Sequence, residues 1–353
     1  LGGTNTFQDL AISINVPTKK AGTFSLFGIG GLSKSGDALP SDTSEWEGDT
    51  YIDRGDFISN MGVLGLSNKY FINSKMYWKN TLSCTGQNIG YEMDSVSVFD
   101  KAATRIYNEY FINSTLQFNS VLNHKINNRN SMRSGFIVNQ KSYNLSLENK
   151  ALVSSANMVS YLDEKNKTYS YQAYSQWQNK ISEKLTTNIG LHFIHLALTD
   201  ASSIEPRVGA SYQINNLQSI NLGAGLHSRM ESIGAYEYQV LNQNGELGKW
   251  NKNLDFSKAW HTVLGYDRQL SEQLRIKAEV YYQHLFNLPE SVNPNSSFSL
   301  LNLNYGMSDE ALSNTGVAQN IGAEFTLEKF FNDGYYYLIT ASIFDSKYQA
   351  PNG

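Results

Sequence analysis

The chain has a single cysteine, Cys84, which excludes an internal disulfide and any cysteine-built metal cluster. Proline is scarce, at 6 residues in 353, and apolar residues at helical spacing are rare. No apolar run reaches the roughly eighteen residues that a membrane-crossing helix needs. Charge of one sign is also missing: the net charge of -4 gives nucleic acid no electrostatic foothold. There is no Gly-x-Ser-x-Gly elbow, so no enzyme is expected. Arg54-Gly55-Asp56 matches an adhesion tripeptide and is read as chance in a polar stretch. No signal peptide opens the chain at Leu1 and no initiator Met precedes it, so a fragment of a longer polypeptide is expected.

What the sequence does have is period-two alternation, repeated from end to end. In 274–282, Leu274, Ile276, Ala278, Val280 and Tyr282 take one face, and Arg275, Lys277, Glu279 and Tyr281 the other. Alternation of this kind is an extended strand with one apolar and one polar side. Leu185, Thr187, Ile189, Leu191 and Phe193 repeat it, as do Ile321, Ala323, Phe325 and Leu327. A soluble chain of this length would split into two or three domains, yet no linker or shift in composition interrupts the pattern. Roughly fourteen strands are expected, many of them longer than the five or six residues usual in globular proteins. The mean hydropathy of -0.39 is compatible with a membrane barrel, whose lipid-facing and lumen-facing residues average out.

The links alternate in length. Short polar turns at 17–21, 125–131, 181–183, 215–218, 269–272 and 331–333 are set against long stretches at 33–56, 88–105, 148–166, 231–254 and 288–314, with an intermediate link at 199–205. Up-and-down antiparallel strands put every second link at the same end, and outer-membrane barrels keep short turns at one end and long loops at the other. The fold class expected is therefore all-β: an antiparallel up-and-down transmembrane β-barrel segment of a larger barrel. Glycine is frequent on the inward face (Gly190, Gly209, Gly223, Gly225, Gly265 and Gly322), compatible with strong strand coiling or with an object packed in the lumen. Tyr169, Tyr171, Trp177, Tyr212, Trp260, Tyr266, Tyr282, Tyr335 and Tyr337 lie near strand ends, as interfacial aromatic girdles require.

Glu205-Pro206-Arg207-Val208-Gly209-Ala210-Ser211-Tyr212 and Gly223-Ala224-Gly225-Leu226-His227-Ser228-Arg229-Met230 resemble the mid-barrel hairpin of TonB-dependent receptors of the Bacteroidetes. So do the segments 278–283, 320–329 and 341–348. The resemblance covers most of residues 1–353 and implies one partial barrel domain. It also implies a plug domain within a larger barrel, TonB-coupled uptake of an iron chelate, a cobalamin or an oligosaccharide, a bilayer around the strands, and in one branch a surface lipoprotein. The plug, the TonB box and the last strands are not in this sequence. A passive outer-membrane channel, such as a fatty-acid-transporter-like barrel, stays open beside it, as does a structural or adhesin barrel.

No cofactor and no metal site are expected. His192 and His195 fall on opposite faces of one strand and so cannot share a metal. His227 and Arg229 share an inward face and could meet a carboxylate or phosphate, or make ordinary lumen hydrogen bonds. For ligand contact the aromatic residues of the long links are the candidates: Trp46, Tyr51, Tyr236, Tyr238, Trp250, Phe298 and Tyr305. Aromatic faces stack on sugars or flat chelates at little entropic cost, though the same rings could instead pack loop against loop.

Overall fold

The computed structural model describes residues 2–39, 51–150, 157–242, 244–303 and 307–349. The strands are β1 (Gly2–Pro17), β2 (Thr23–Ala38), β3 (Tyr51–Asn73), β4 (Met76–Ser97), β5 (Ala103–Lys125), β6 (Asn130–Asn149), β7 (Val159–Lys180), β8 (Leu185–Leu196), β9 (Ala201–Asn215) and β10 (Gln218–Arg229). A folded loop follows, with a one-turn helix α1 (Ile233–Glu237), a small hairpin of β11 (Val240–Leu241) and β12 (Leu247–Gly248), and a 3-10 turn (Trp250–Asn253). The remaining strands are β13 (Ser257–Gln269), β14 (Leu274–Ser291), β15 (Leu312–Asn332) and β16 (Tyr335–Gln349), with a 3-10 turn (Leu300–Asn302) between β14 and β15.

Setting aside the β11–β12 hairpin, the other fourteen strands form one sheet in chain order, each antiparallel to its neighbours. Among the described residues β1 and β16 are its two edges, so the passive-channel reading with a closed fourteen-stranded barrel lacks its closing pair. Strand lengths run from 12 residues in β8 to 23 in β3 and β5. A tilted strand needs only about nine to eleven residues to cross a bilayer, so β3 to β7 stand well beyond it.

The register assigns the faces. Ile189 pairs with Val208, Val208 with Ala224, Leu222 with Leu264, Leu264 with Val280 and Val280 with Ala323. This apolar side is open over the whole sheet: Leu191 is 53% exposed, Val280 52% and Ile321 55%. A continuous apolar surface of that extent is one that lipid covers. Tyr169, Tyr171, Trp177, Tyr212, Trp260, Tyr266 and Tyr282 share it, at two levels. Trp260 and Tyr266 lie about 20 Å apart along β13, at roughly 3.4 Å per residue.

The bounds of the longer links change: 33–56, 199–205 and 288–314 lose their ends to strand, and two others shrink further. Residues 88–105, read as a long link, are mostly strand: β4 runs to Ser97 and β5 starts at Ala103. Residues 148–166 shorten likewise, because β7 starts at Val159. In 88–97 the alternation inverts: Ile89, Tyr91 and Met93 take the inner face, and the outer face, with Glu92 and Asp94, is paired by charge. Arg54, Asp94 and Arg105 are direct neighbours across β3, β4 and β5, with N–O distances of 3.1 and 2.5 Å. Asp94, flanked by two guanidinium groups, is buried. The asymmetry of link length therefore rests on 39–50, 150–158, 230–256 and 292–311, whereas 98–102 and 197–200 are as short as the turns.

Inward glycines have a further explanation. On the inner face Phe27 lies over Gly65, Tyr281 over Gly322 and Tyr174 over Gly135, so close that an added Cβ would collide with each ring. The glycine makes room for a neighbouring aromatic side chain, a device that also sharpens strand twist.

Candidate ligand-binding face

The hydrophobic core of this molecule lies at one mouth of the curved wall. The 230–256 loop folds back on the inner side of β6 and β7. There Tyr143, Leu145, Leu147, Tyr161 and Leu162 pack with Tyr238 and Val240. A second cluster joins Tyr236, Leu254, Phe256, Leu196 and Leu312, flanked by Phe298 and Leu300 of the 292–311 loop. Polar groups pin the assembly. The Tyr143 hydroxyl donates to Glu237 at 2.8 Å, and Lys249 bridges Glu237, at 3.0 Å, and Glu164. Asn251, 1% exposed by residue, accepts from the Leu312 amide at 2.7 Å and donates to the Glu310 carbonyl at 3.1 Å, which ties the two loops together. Asn287, at φ 60°, sits in the register shift between Leu285 and Leu288 and donates to the Phe256 carbonyl at 2.8 Å.

The site candidates separate by burial. Tyr236 (0% exposed) and Tyr238 (4%) are core residues whose rings present no face to a ligand in this structure. Burial pushes both phenols up to about 12. The Tyr236 hydroxyl accepts from the Glu231 amide at 2.9 Å. Phe298 is half-buried against the second cluster. Trp250 and Tyr51 are exposed, and the Trp250 indole donates to the Glu246 carbonyl at 3.2 Å. Trp46 and Tyr305 lie outside the described residues. Lys249 is held above its ordinary value: burial acts downward, and hydrogen bonds to Glu164 and Glu237 outweigh it.

Below the loops, His227 faces inward beside His261, with ring centroids 4.8 Å apart. Arg229 reaches Glu231 at 3.4 Å and stays largely exposed. His192 and His195 do lie on opposite faces: His192 is 2.9 Å from Glu205, and His195 is 3.0 Å from the Ser202 hydroxyl. Sequence reasoning passed over Glu205, the best-satisfied carboxylate of the wall. It is 1% exposed and accepts from Arg207 at 2.5 Å and from the Ser228 amide at 3.0 Å. The signal was available, since Glu205 and Arg207 are two residues apart and share a face. From His261 a hydrogen-bonded row continues through Gln283, Asn320 and Ser346 across β14, β15 and β16. The wall under the loops is thus lined with fixed donors and acceptors suited to a polar ligand.

No family model matches the sequence, and no curated protein matches it. Solved structures do. The chain resembles the RagAB peptide importer in its closed-closed state, with a TM-score of 0.67 at 9% identity over 99% of this chain and 47% of that one. It resembles the siderophore receptor PiuA from Acinetobacter baumannii with a TM-score of 0.65 at 12% identity, over 98% and 57%. It resembles the copper transporter OprC with a TM-score of 0.63 at 11% identity, over 99% and 53%. The chain spans about half the length of the structures it matches. At these identities the likeness is one of fold: this is a fourteen-stranded antiparallel up-and-down sheet with the architecture of part of an import-receptor barrel.

Proposed function

We propose that this chain is barrel wall of a TonB-coupled outer-membrane receptor that captures a scarce ligand with its long loops and passes it inward. The observation that carries the reading is the division of the sheet's two ends. One end holds tight turns, and the other holds loops folded into a packed cap over a polar inner wall. The fold likeness to a peptide importer, siderophore receptors and a copper transporter supports the same reading. The ligand is then an iron chelate, a cobalamin, an oligosaccharide or a peptide. The partners are the TonB complex acting through a plug, the bilayer against the apolar face, and in the lipoprotein-assisted branch a surface lipoprotein. Exposed Trp250 and Tyr51, with the polar wall at His227, are the first contacts to test. The experiment is ligand uptake by cells carrying the full-length protein, with and without a functional TonB. Uptake that depends on TonB is expected, and uptake unchanged without it would sink the proposal.

A further inference from the structure

At the turn end of β3 to β6, cations gather without carboxylate partners among the described residues. Lys69 of β3 and Lys79 of β4 are directly opposed in the register. Like charges in that position destabilise a sheet. The Lys69 ammonium lies 4.9 Å from the Phe71 ring centroid and 4.5 Å from that of Tyr77. Both rings sit toward the turn, so cation–π attraction holds Lys69 there. One inward row runs Phe71, Tyr77, Asn123, Arg133, Gln176 and Gly190, each directly paired with the next. Beside it is a groove of about 410 Å³ lined in part by Lys75, Lys125, Arg133, Asn123, Gln176 and Gln178.

The same half of the wall has no carboxylate facing in. Polar inner positions of β3 to β8 there include Lys69, Lys79, Asn123, Lys125, Arg133, Gln176, Gln178 and Asn188. The first four short turns carry Lys19, Lys20, Lys75, Arg129 and Lys184 against Glu183 alone. Among the described residues, none of Lys69, Lys75, Lys79, Lys125 and Arg133 makes an ion pair. The arginines near the loop end, Arg54, Arg105, Arg207 and Arg229, all do. Lys75, Lys125 and Arg133 line the groove with several amide side chains, Lys69 and Lys79 stand one inner row away, and with no competing acid these groups offer charge-assisted donors to an oxyanion.

We propose that this groove is a binding site for a multiply charged oxyanion of phosphate type. The inference rests on the uptake reading in one respect, since it makes an anionic ligand the natural cargo of this lumen. The same chemistry could come from an acidic phospholipid headgroup reaching over the rim at Lys75.

The probe is inorganic pyrophosphate, added to the purified full-length protein in neutral detergent at constant ionic strength. Melting temperature is the readout. A saturable rise is expected with pyrophosphate and not with chloride. Lys79→Glu, which turns the opposed pair into opposite charges, should raise the melting temperature without added anion. It should also weaken the pyrophosphate response about tenfold or more. Lys125→Gln with Arg133→Gln, both in the lining, should weaken the response without that gain. Absence of a saturable response in the wild type, or a response of the Lys125→Gln, Arg133→Gln double variant equal to the wild type's, overturns the proposal. Nanodiscs separate the sources. If phosphatidylglycerol suppresses the pyrophosphate response and phosphatidylcholine leaves it, the headgroup occupies the groove; a response kept in both assigns it to a ligand in the lumen. Because the readout is binding, TonB-independent uptake would leave this result standing, and a silent groove would leave the uptake reading standing.

Discussion

The two ends of this wall are built by different rules. At the loop end side chains supply the order: Tyr236, Phe256, Leu162 and Leu196 are sealed from solvent, and the carboxylates of Glu205, Glu231 and Glu237 are buried but partnered. At the turn end the backbone supplies it, through tight hairpins such as those at 74–75, 216–217 and 333–334, while the cations near β3 to β6 are left without counter-ions. The loop end spends its polar groups on itself. The turn end leaves its charges free across β3 to β6, whereas across β13 and β14 Arg275 pairs with Asp267. A loop that must hold a shape over an open mouth needs a core of its own, because neighbouring strands pair only as far as the ladder runs. A hairpin turn needs none, because the ladder reaches it.

The sharpest way to break that comparison is Phe256→Ala. Phe256 is 0% exposed and sits between the 230–256 loop and β13. Emptying a fully enclosed aromatic site costs about 3–5 kcal/mol. The loss should stay local: hydrogen exchange should rise at amides in 230–256 and 292–311, with 74–75 and 216–217 unchanged. Equal loosening at both ends would show that the cap has no core separate from the wall.

Lys249→Met tests the polar half of the same cap. It leaves Glu237, with a side chain 4% exposed, without its cation. Breaking a buried pair in this way costs about 3–5 kcal/mol, and roughly 2 kcal/mol is expected here because Lys249 is itself partly exposed. The pH dependence follows from the same groups. Lys249 is raised above its ordinary 10.5, so its contribution is complete below that value and is lost as pH climbs through the folded-state value. Tyr236 and Tyr238, raised from 10.0 to about 12, are buried as neutral phenols and lose their contribution over that same interval. All three point one way: limited proteolysis should begin to cut the 230–256 loop above about pH 10, before the strands lose their far-ultraviolet signal. Cutting that begins at acid pH first would contradict it.

Most of the wall was legible in the sequence, for a physical reason. A strand with lipid on one side and a lumen on the other must alternate, and Leu185 to Phe193 or Ile321 to Leu327 can do so only as strands. Above the bilayer that pressure ends. Residues 88–97 and 103–107 are strand all the same, held by Arg54–Asp94–Arg105, and such a ladder becomes visible only once the register is known. The candidate site was less legible. Tyr236 and Tyr238 look from sequence like loop aromatics free to stack on a ligand. The burial of Tyr238 depends on Tyr143, Tyr161 and Leu162, and that of Tyr236 on Leu196 and Leu312, all far away in the chain. Lys69 and Lys79 likewise read as two unrelated lysines until β3 and β4 are aligned.

The remaining test belongs to the turn end, at Gly22. It closes the β1–β2 turn at φ 79°, where a side chain is strained, and an added Cβ would run into the Lys69 carbonyl oxygen. The Thr18 hydroxyl donates to the Gly22 carbonyl at 2.7 Å, so the turn is fixed from both sides. Gly22→Ala should cost about 1–3 kcal/mol through backbone strain. Exchange should rise at 18–22 and at Lys69 and Tyr70 across the ladder, with the cap unaffected. If the two ends are independent, combining Gly22→Ala with Phe256→Ala should give the sum of the single effects within about 0.5 kcal/mol. A larger departure would mean that strain at the turns is transmitted along the strands to the loops, and the division between the two ends would fail.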